Sequence, residues 1–186
     1  MGKPAPFFGV YMMSQTLTLS RARLRFAGLA LLGSALLAAS AQVAVPMWPV
    51  PATLQSLVVL LLGALGGGRL GVAAVALYLA EGALGLPVFA AGTGGPSALA
   101  GPTAGYLLGF LPAAWLAGVL TSGSVRWRQA LGLLAAHLVL FVPGVLWLAT
   151  FIGADKAWTA GFMLFLPATL IKTALATAML HVVRRS

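Results

Sequence analysis

The sequence predicts an all-α, polytopic membrane protein with six transmembrane helices and an outward capping loop between the third and fourth. Three observations predict it. The 186 residues are 61% apolar and 7% charged, with a mean hydropathy of +1.03, whereas a soluble domain carries roughly 25% charged residues. Apolar runs of helical length recur along the chain, and the length accommodates about six spans of ~20 residues joined by short loops. Lys and Arg cluster at the ends of these runs. No room remains for a soluble domain, and no GxxxxGK[ST] phosphate loop occurs. The net charge of +9 therefore reads as a topology signal in a lipid bilayer, not as a nucleic-acid surface. With no cysteine, disulfides and thiolate metal sites are excluded. No metal-ligand cluster and no catalytic set is present in the sequence.

Residues 1–25 read as a cytoplasmic N-terminal segment and residues 26–186 as a six-helix substrate-binding domain. Arg21, Arg23 and Arg25, an apolar run and Ala39-Ser40-Ala41 imitate a cleavable signal peptide. The topology works only if that run stays as the first span, from Phe26 to Val45. Its Ala30, Ser34 and Ala38 recur every four residues, a small-residue face that admits a second helix closely. This is the expected partner interface, with internal packing as the alternative.

The segment Val45–Gln55 follows. Pro46, Pro49 and Pro51 force it to be extended, and Trp48 suits a membrane interface. Span two runs from Thr53 to Leu65 and carries Gln55 in its first turn. An amide there is costly without partners, so Gln55 is either a ligand contact or a loop anchor. Span three, Leu70–Leu84, carries Tyr78 and Glu81. The stretch Leu84–Tyr106 then holds six glycines, three prolines and no charge. Glycine permits positive φ and proline removes amide donors, so no continuous helix runs through it. Irregular backbone at membrane depth persists only when buried in protein or lining a cavity. The stretch is expected to cap a small-molecule site. Span four runs from Ala104 to Leu120, span five from Trp127 to Phe151 with a kink at Pro143-Gly144, and span six from Ala160 to Val183.

In this arrangement Lys3, Arg21, Arg23, Arg25, Arg69, Arg126, Arg128, Arg184 and Arg185 share one side, and only Lys156, beside Asp155, takes the other. The positive-inside rule places both termini in the cytoplasm of a plasma (inner) membrane protein, with the cap facing outward. Glu81 and Lys172 are ionisable residues within spans and thus candidates for function. They can pair, or Lys172 can meet an anionic solute. His137, inside span five, reads as a hydrogen-bonded packing residue. An intramembrane enzyme would need Glu81 and His137 in contact, since no other catalytic pair is available.

The strings VPMWPVPATLQ, ALYLAEGALGLPVFAAGTGG and LAGPTAGYLLGF, with HLVLFVPGVLWL and FLPATLIK further on, occur here in an order and spacing that resembles the BioY family. These are the biotin-specific substrate-binding components of energy-coupling-factor transporters. The resemblance spans Val45 to Val183. It implies a six-helix bundle that binds biotin in an outward pocket and performs no chemistry. It also implies a transmembrane coupling protein and two ATPase subunits as partners, so that ATP is used only there and the chain itself needs no cofactor. Gln55, Tyr78, Glu81, Thr103, Thr169 and Lys172 are then the expected polar contacts, and Phe89, Tyr106 and Trp147 the expected apolar walls. Where the family usually reads Pro-Gly-Asp-x-x-Lys, this chain has Pro167-Ala168-Thr169-Leu170-Ile171-Lys172. A hydroxyl accepts hydrogen bonds more weakly than a carboxylate, so Glu81 is the expected substitute acceptor, and another vitamin-like solute is the alternative.

Overall fold

The computed structural model describes residues 7–123 and 125–185, with side chains described from residue 21 onward. Lys3 lies outside the described residues. The chain folds into helices α1 (Phe7–Gln42), α2 (Gln55–Gly66), α3 (Gly68–Ala83), α4 (Pro96–Ala100), α5 (Ala104–Thr121), α6 (Arg126–Val139), α7 (Phe141–Ile152), α8 (Ala154–Gly161) and α9 (Leu166–Val183). Short 3₁₀ turns occupy Ala90–Gly92 and Met163–Phe165. Among the described residues, four helical stretches are long and apolar enough to cross a membrane: Arg21–Gln42, Ala104–Thr121, Arg126–Ile152 and Ala154–Val183. Helices α2 and α3, at 12 and 16 residues, are about 18 and 24 Å long at 1.5 Å per residue.

Helix α5 is the hub and packs against α2, α3, α6 and α7. Its small residues allow this. A Cβ on Gly109 would sit 2.6 Å from the Leu140 carbonyl oxygen, and one on Gly118 would sit 2.1 Å from the backbone nitrogen of Gly68. On the facing helix, a Cβ on Gly63 would come within 2.1 Å of the Ala114 carbonyl oxygen. Backbones approach this closely only where side chains are absent, which is how apolar helices gain van der Waals contact without a hydrophobic driving force between them. Two buried clusters result. One, around Tyr78, Phe89, Tyr106, Phe110 and Phe141, lies toward the start of α2. The other, around Leu60, Leu133 and Leu180, lies toward its end.

Three local expectations change. The residues before Arg25 continue α1, which is helical from Phe7. The break in span five falls at Leu140, between α6 and α7, and not at Pro143-Gly144. The reason is that Pro143 lacks an amide for the Val139 carbonyl four residues earlier and its ring crowds that carbonyl. The third change is a correction to the partner interface. Ser34 is fully buried and Ala30 nearly so, α1 packs against α3, and the Ser34 hydroxyl donates to a Glu81 carboxylate oxygen. The Ala30, Ser34 and Ala38 face is internal packing because only small residues let α1 approach α3. Before Glu81 can be held inside an apolar bundle it needs a donor, and Ser34 supplies one.

Ser34→Leu is therefore expected to overpack the α1–α3 contact and strip Glu81 of its donor. A loss of about 1–3 kcal/mol of stability is expected, read as a lower midpoint of thermal unfolding in detergent. An unchanged midpoint would show that the face is free.

Candidate functional site

Between the helix ends lies a cavity of about 240 Å³. Its floor and walls come from α2, α5, α6, the start of α7, the second 3₁₀ turn and α9, and its roof from two irregular segments. The first roof segment is a small antiparallel hairpin that pairs Ala44 with Thr53 and Val45 with Ala52. Its tip holds a cis Trp48–Pro49 peptide, and Trp48 is exposed. The second is the glycine-rich stretch after α3. Gly92 and Gly95 there have φ of 67° and 88°, a region where a side chain is strained.

The roof is bonded to the helices at defined points. Gln42, the last residue of α1, donates from Nε2 to the Phe89 carbonyl at 3.0 Å and accepts from the Gly92 amide at 3.1 Å. The Tyr78 hydroxyl accepts from Gln55 Nε2 and donates to the Val88 carbonyl at 3.1 Å. The Thr53 hydroxyl donates to Gln55 Oε1 at 2.8 Å. One chain of hydrogen bonds thus runs from the hairpin through Gln55 and Tyr78 into the second roof segment. Phe89 seals it, edge-on to Tyr78 with ring centroids 5.3 Å apart. Its ring occupies the space a side chain on Gly82 would need, since a Cβ there would lie 2.0 Å from it.

The apolar walls are aromatic. Tyr106 sits where Gly144 leaves room for its ring, and its hydroxyl donates to the Gly161 carbonyl at 2.9 Å. Phe141 meets Tyr106 edge-on at 6.2 Å, and Phe165 stacks on Tyr106 at 6.4 Å. Polar groups are few. Lys172 Nζ donates to the Thr53 carbonyl at 2.6 Å and to the Ser56 hydroxyl at 3.2 Å, which ties α9 to the start of α2. Thr169, 2% exposed, lines the cavity one turn before Lys172. His137 lines it from α6, with Nδ1 2.9 Å from the Thr173 hydroxyl.

Of the residues expected from the sequence, the cavity brings together Gln55, Phe89, Thr103, Tyr106, Thr169 and Lys172. Tyr78, Glu81 and Trp147 do not line it. Tyr78 stands behind Gln55 and orients its amide. Glu81 faces α1 and bonds Ser34, so it neither pairs with Lys172 nor takes the place of the missing acceptor at Thr169. Trp147 braces the roof from outside, its indole N–H donating to the Gly101 carbonyl at 2.9 Å. Glu81 and His137 have separate partners, Ser34 and Thr173, and do not form a catalytic pair. Sequence reasoning missed Ser56, Phe110, Phe141 and Phe165, and it read His137 as a packing residue or, with Glu81, as half of a catalytic pair, not as a cavity residue. Helical spacing held part of the signal: Phe110 follows Tyr106 by four on one face of α5, whereas Phe141 and Phe165 stand just outside the helices of His137 and Thr169. Nothing local marked Gln42 as a roof anchor, since its roof partners lie 47 and 50 residues away.

A roofed, mainly apolar cavity with a few placed polar groups, enclosed by apolar helices, defines a membrane protein that holds a small molecule. The comparisons with known proteins narrow this class. A family model described as the BioY family matches residues 12–186. The chain is 41% identical over 142 residues to a probable biotin transporter BioY of Pyrococcus horikoshii, covering 76% of this chain and 85% of that one. It is 39% identical over 146 residues to the biotin transporter BioY of Thermotoga maritima, covering 77% and 86%. The chain belongs to the BioY family. The crystal structure of an S-component for biotin from an ECF-type ABC transporter superposes with a TM-score of 0.79, at 23% identity over 89% of this chain and 94% of that one. At that identity the likeness establishes the shared fold.

Tyr78→Phe removes the hydroxyl that joins Gln55 to Val88 and leaves a buried amide donor unpaired. A loss of about 1–3 kcal/mol is expected, together with faster proteolytic nicking at the Thr93–Gly95 turn. Unchanged stability and an unchanged nicking rate would show that the roof is held by other contacts.

Proposed function

We propose that this chain is the membrane-embedded substrate-binding component of an energy-coupling-factor transporter and takes up biotin. It carries out no chemistry. The observation that carries the reading is the roofed cavity: aromatic on most sides, polar at Gln55, Thr169, His137 and Lys172, and found in a chain of the BioY family. The curated relatives are a probable biotin transporter and a biotin transporter. Biotin has an apolar bicyclic and aliphatic body, a ureido group and a carboxylate. Tyr106, Phe110, Phe141 and Phe165 would wall the body, while Gln55, Thr103, Thr169, His137 and Lys172 would serve the polar ends. Two of the three ammonium hydrogens of Lys172 go to Thr53 and Ser56, which leaves one to direct at the ligand.

Six spans complete the reading. Helices α2 and α3 would be two spans shorter than the bilayer core of ~30 Å, with the roof segments covering the outward end of each. The roof and the cavity mouth would face outward and both termini the cytoplasm, because Arg69, Arg126, Arg128, Arg184 and Arg185 all fall at the end away from the roof. The chain would need no cofactor of its own. A transmembrane coupling protein and ATPase subunits would supply the ATP-driven step, as partners suited to an S-component fold.

Equilibrium binding of labelled biotin to the purified chain tests the function. Saturable binding is expected, competed by unlabelled biotin. Lys172→Met keeps the apolar stem and removes the ammonium, and a tenfold to hundredfold weaker Kd is expected from about 1–3 kcal/mol of lost hydrogen bonding. Full affinity in a folded Lys172→Met variant would remove Lys172 from the site. For topology, reporters fused after Ser186 and inserted within Gly92–Ala98 are expected on opposite sides of the membrane. Finding both on one side would overturn the six-span arrangement.

A further inference from the structure

At the end of α2 away from the roof, the α2–α3 turn and the Arg21–Leu29 stretch of α1 enclose a second, open groove of about 770 Å³. Arg21, Arg25 and Arg69 line it together with Phe26, Leu29 and Leu70. Arg21 and Arg25, four apart, share one face of α1. All three guanidinium groups are on exposed residues, and no described side chain or carbonyl of this chain bonds to them. Two other arginines at this end are engaged within the chain. Arg184 donates to the carbonyls of Thr121 and Ala64, and Arg128 lies 5.2 Å over the Trp127 ring.

Among the described residues, no acidic side chain supplies a counter-charge. It has two acidic residues in all. Glu81 bonds Ser34 and lies twelve residues beyond Arg69 on α3, roughly 18 Å along the axis. Asp155 stands in the first turn of α8. Neither acidic side chain meets the three arginines, so an anion from outside the chain can. Directly beside them, Phe26 and Leu29 are 44% and 52% exposed, so the site pairs a cationic rim with an apolar wall. A ligand with a phosphate anion and an acyl chain fits both. Basic pockets between helices at the membrane surface bind anionic lipid headgroups in this way.

We propose that this groove is a binding site for one anionic phospholipid. Its phosphate is held by Arg21, Arg25 and Arg69, and an acyl chain lies along Phe26 and Leu29. The bound lipid fixes the Arg21–Leu29 stretch of α1 against the α2–α3 turn. The proposal is independent of which solute fills the roofed cavity.

Native mass spectrometry of the purified chain, given an equal mixture of phosphatidylglycerol and phosphatidylcholine, tests it without any solute. Wild type is expected to retain phosphatidylglycerol in at least tenfold preference. Each of R21Q, R25Q and R69Q is expected to cut that lipid's retention about fivefold, and the triple variant on the order of a hundredfold, from about 1 kcal/mol per basic residue near the surface. The single variants keep the test decisive should the triple variant fail to fold. R126Q/R128Q, which alters arginines elsewhere at the same end, is expected to keep the preference. Equal retention of both lipids by wild type, or an undiminished preference in R21Q, R25Q and R69Q, overturns the proposal. So does an equal loss in R126Q/R128Q, which would show a general charge effect. A triple variant that keeps the lipid but loses a protein partner would make the groove a protein interface and overturn the lipid site.

Discussion

A buried phenolic hydroxyl holds this molecule in its working shape. Tyr78 accepts from Gln55 at the start of α2 and donates to Val88 in the roof. The roof has little regular structure, so its backbone groups need partners from elsewhere. Gln42, Tyr78 and Trp147 supply them from three helices. The bonds from Gln42 and Trp147 span 46 to 50 residues of sequence, so the roof is complete only once the bundle has formed. The same bonds leave the cavity side of the roof apolar, with Phe89 as its plug.

The bundle beneath depends on how closely helices approach. Gly63, Gly109 and Gly118 let α5 touch its neighbours through backbone. The tight approach at Gly63 and Gly118 is matched by open space at the other end, where Tyr106, Phe110, Phe141 and Phe165 are large. The contrast in side-chain size along the bundle makes the cavity. Lys172 then closes the seam between α9 and α2 with two hydrogen bonds. A cation in that position is tolerated because a carbonyl and a hydroxyl replace water around it.

Charge is distributed with equal economy. The polar groups of the cavity are few and mostly engaged with one another, which keeps their geometry set before a ligand arrives. At the opposite end, Arg184 ties α9 to α2 and α5 through their terminal carbonyls, while Arg21, Arg25 and Arg69 face outward. One set of arginines finishes helix ends within the protein, and the other is left to meet its surroundings.

Much was legible in the sequence. Apolar runs and their basic ends marked a helical membrane protein, and the charge-free Gly/Pro stretch at Leu84–Tyr106 marked irregular backbone next to a site. Gln55, Phe89, Thr103, Tyr106, Thr169 and Lys172 could be named as cavity residues because polar or aromatic groups in apolar spans need a reason to be there. Other features depended on facing. Ser34 and Glu81 looked respectively like a partner contact and a ligand acceptor, yet they bond each other, because the rotation of α1 against α3 turns both inward. Trp147 looked like a wall and braces the roof from outside, while His137 looked like packing and opens onto the cavity. The sequence alone determined which segments are apolar, where the backbone must be irregular, and which residues are too polar to be idle. Only the tertiary structure decided which of them share a cavity, because that depends on helix rotation and on contacts between residues far apart in the chain, which periodicity within one segment does not encode.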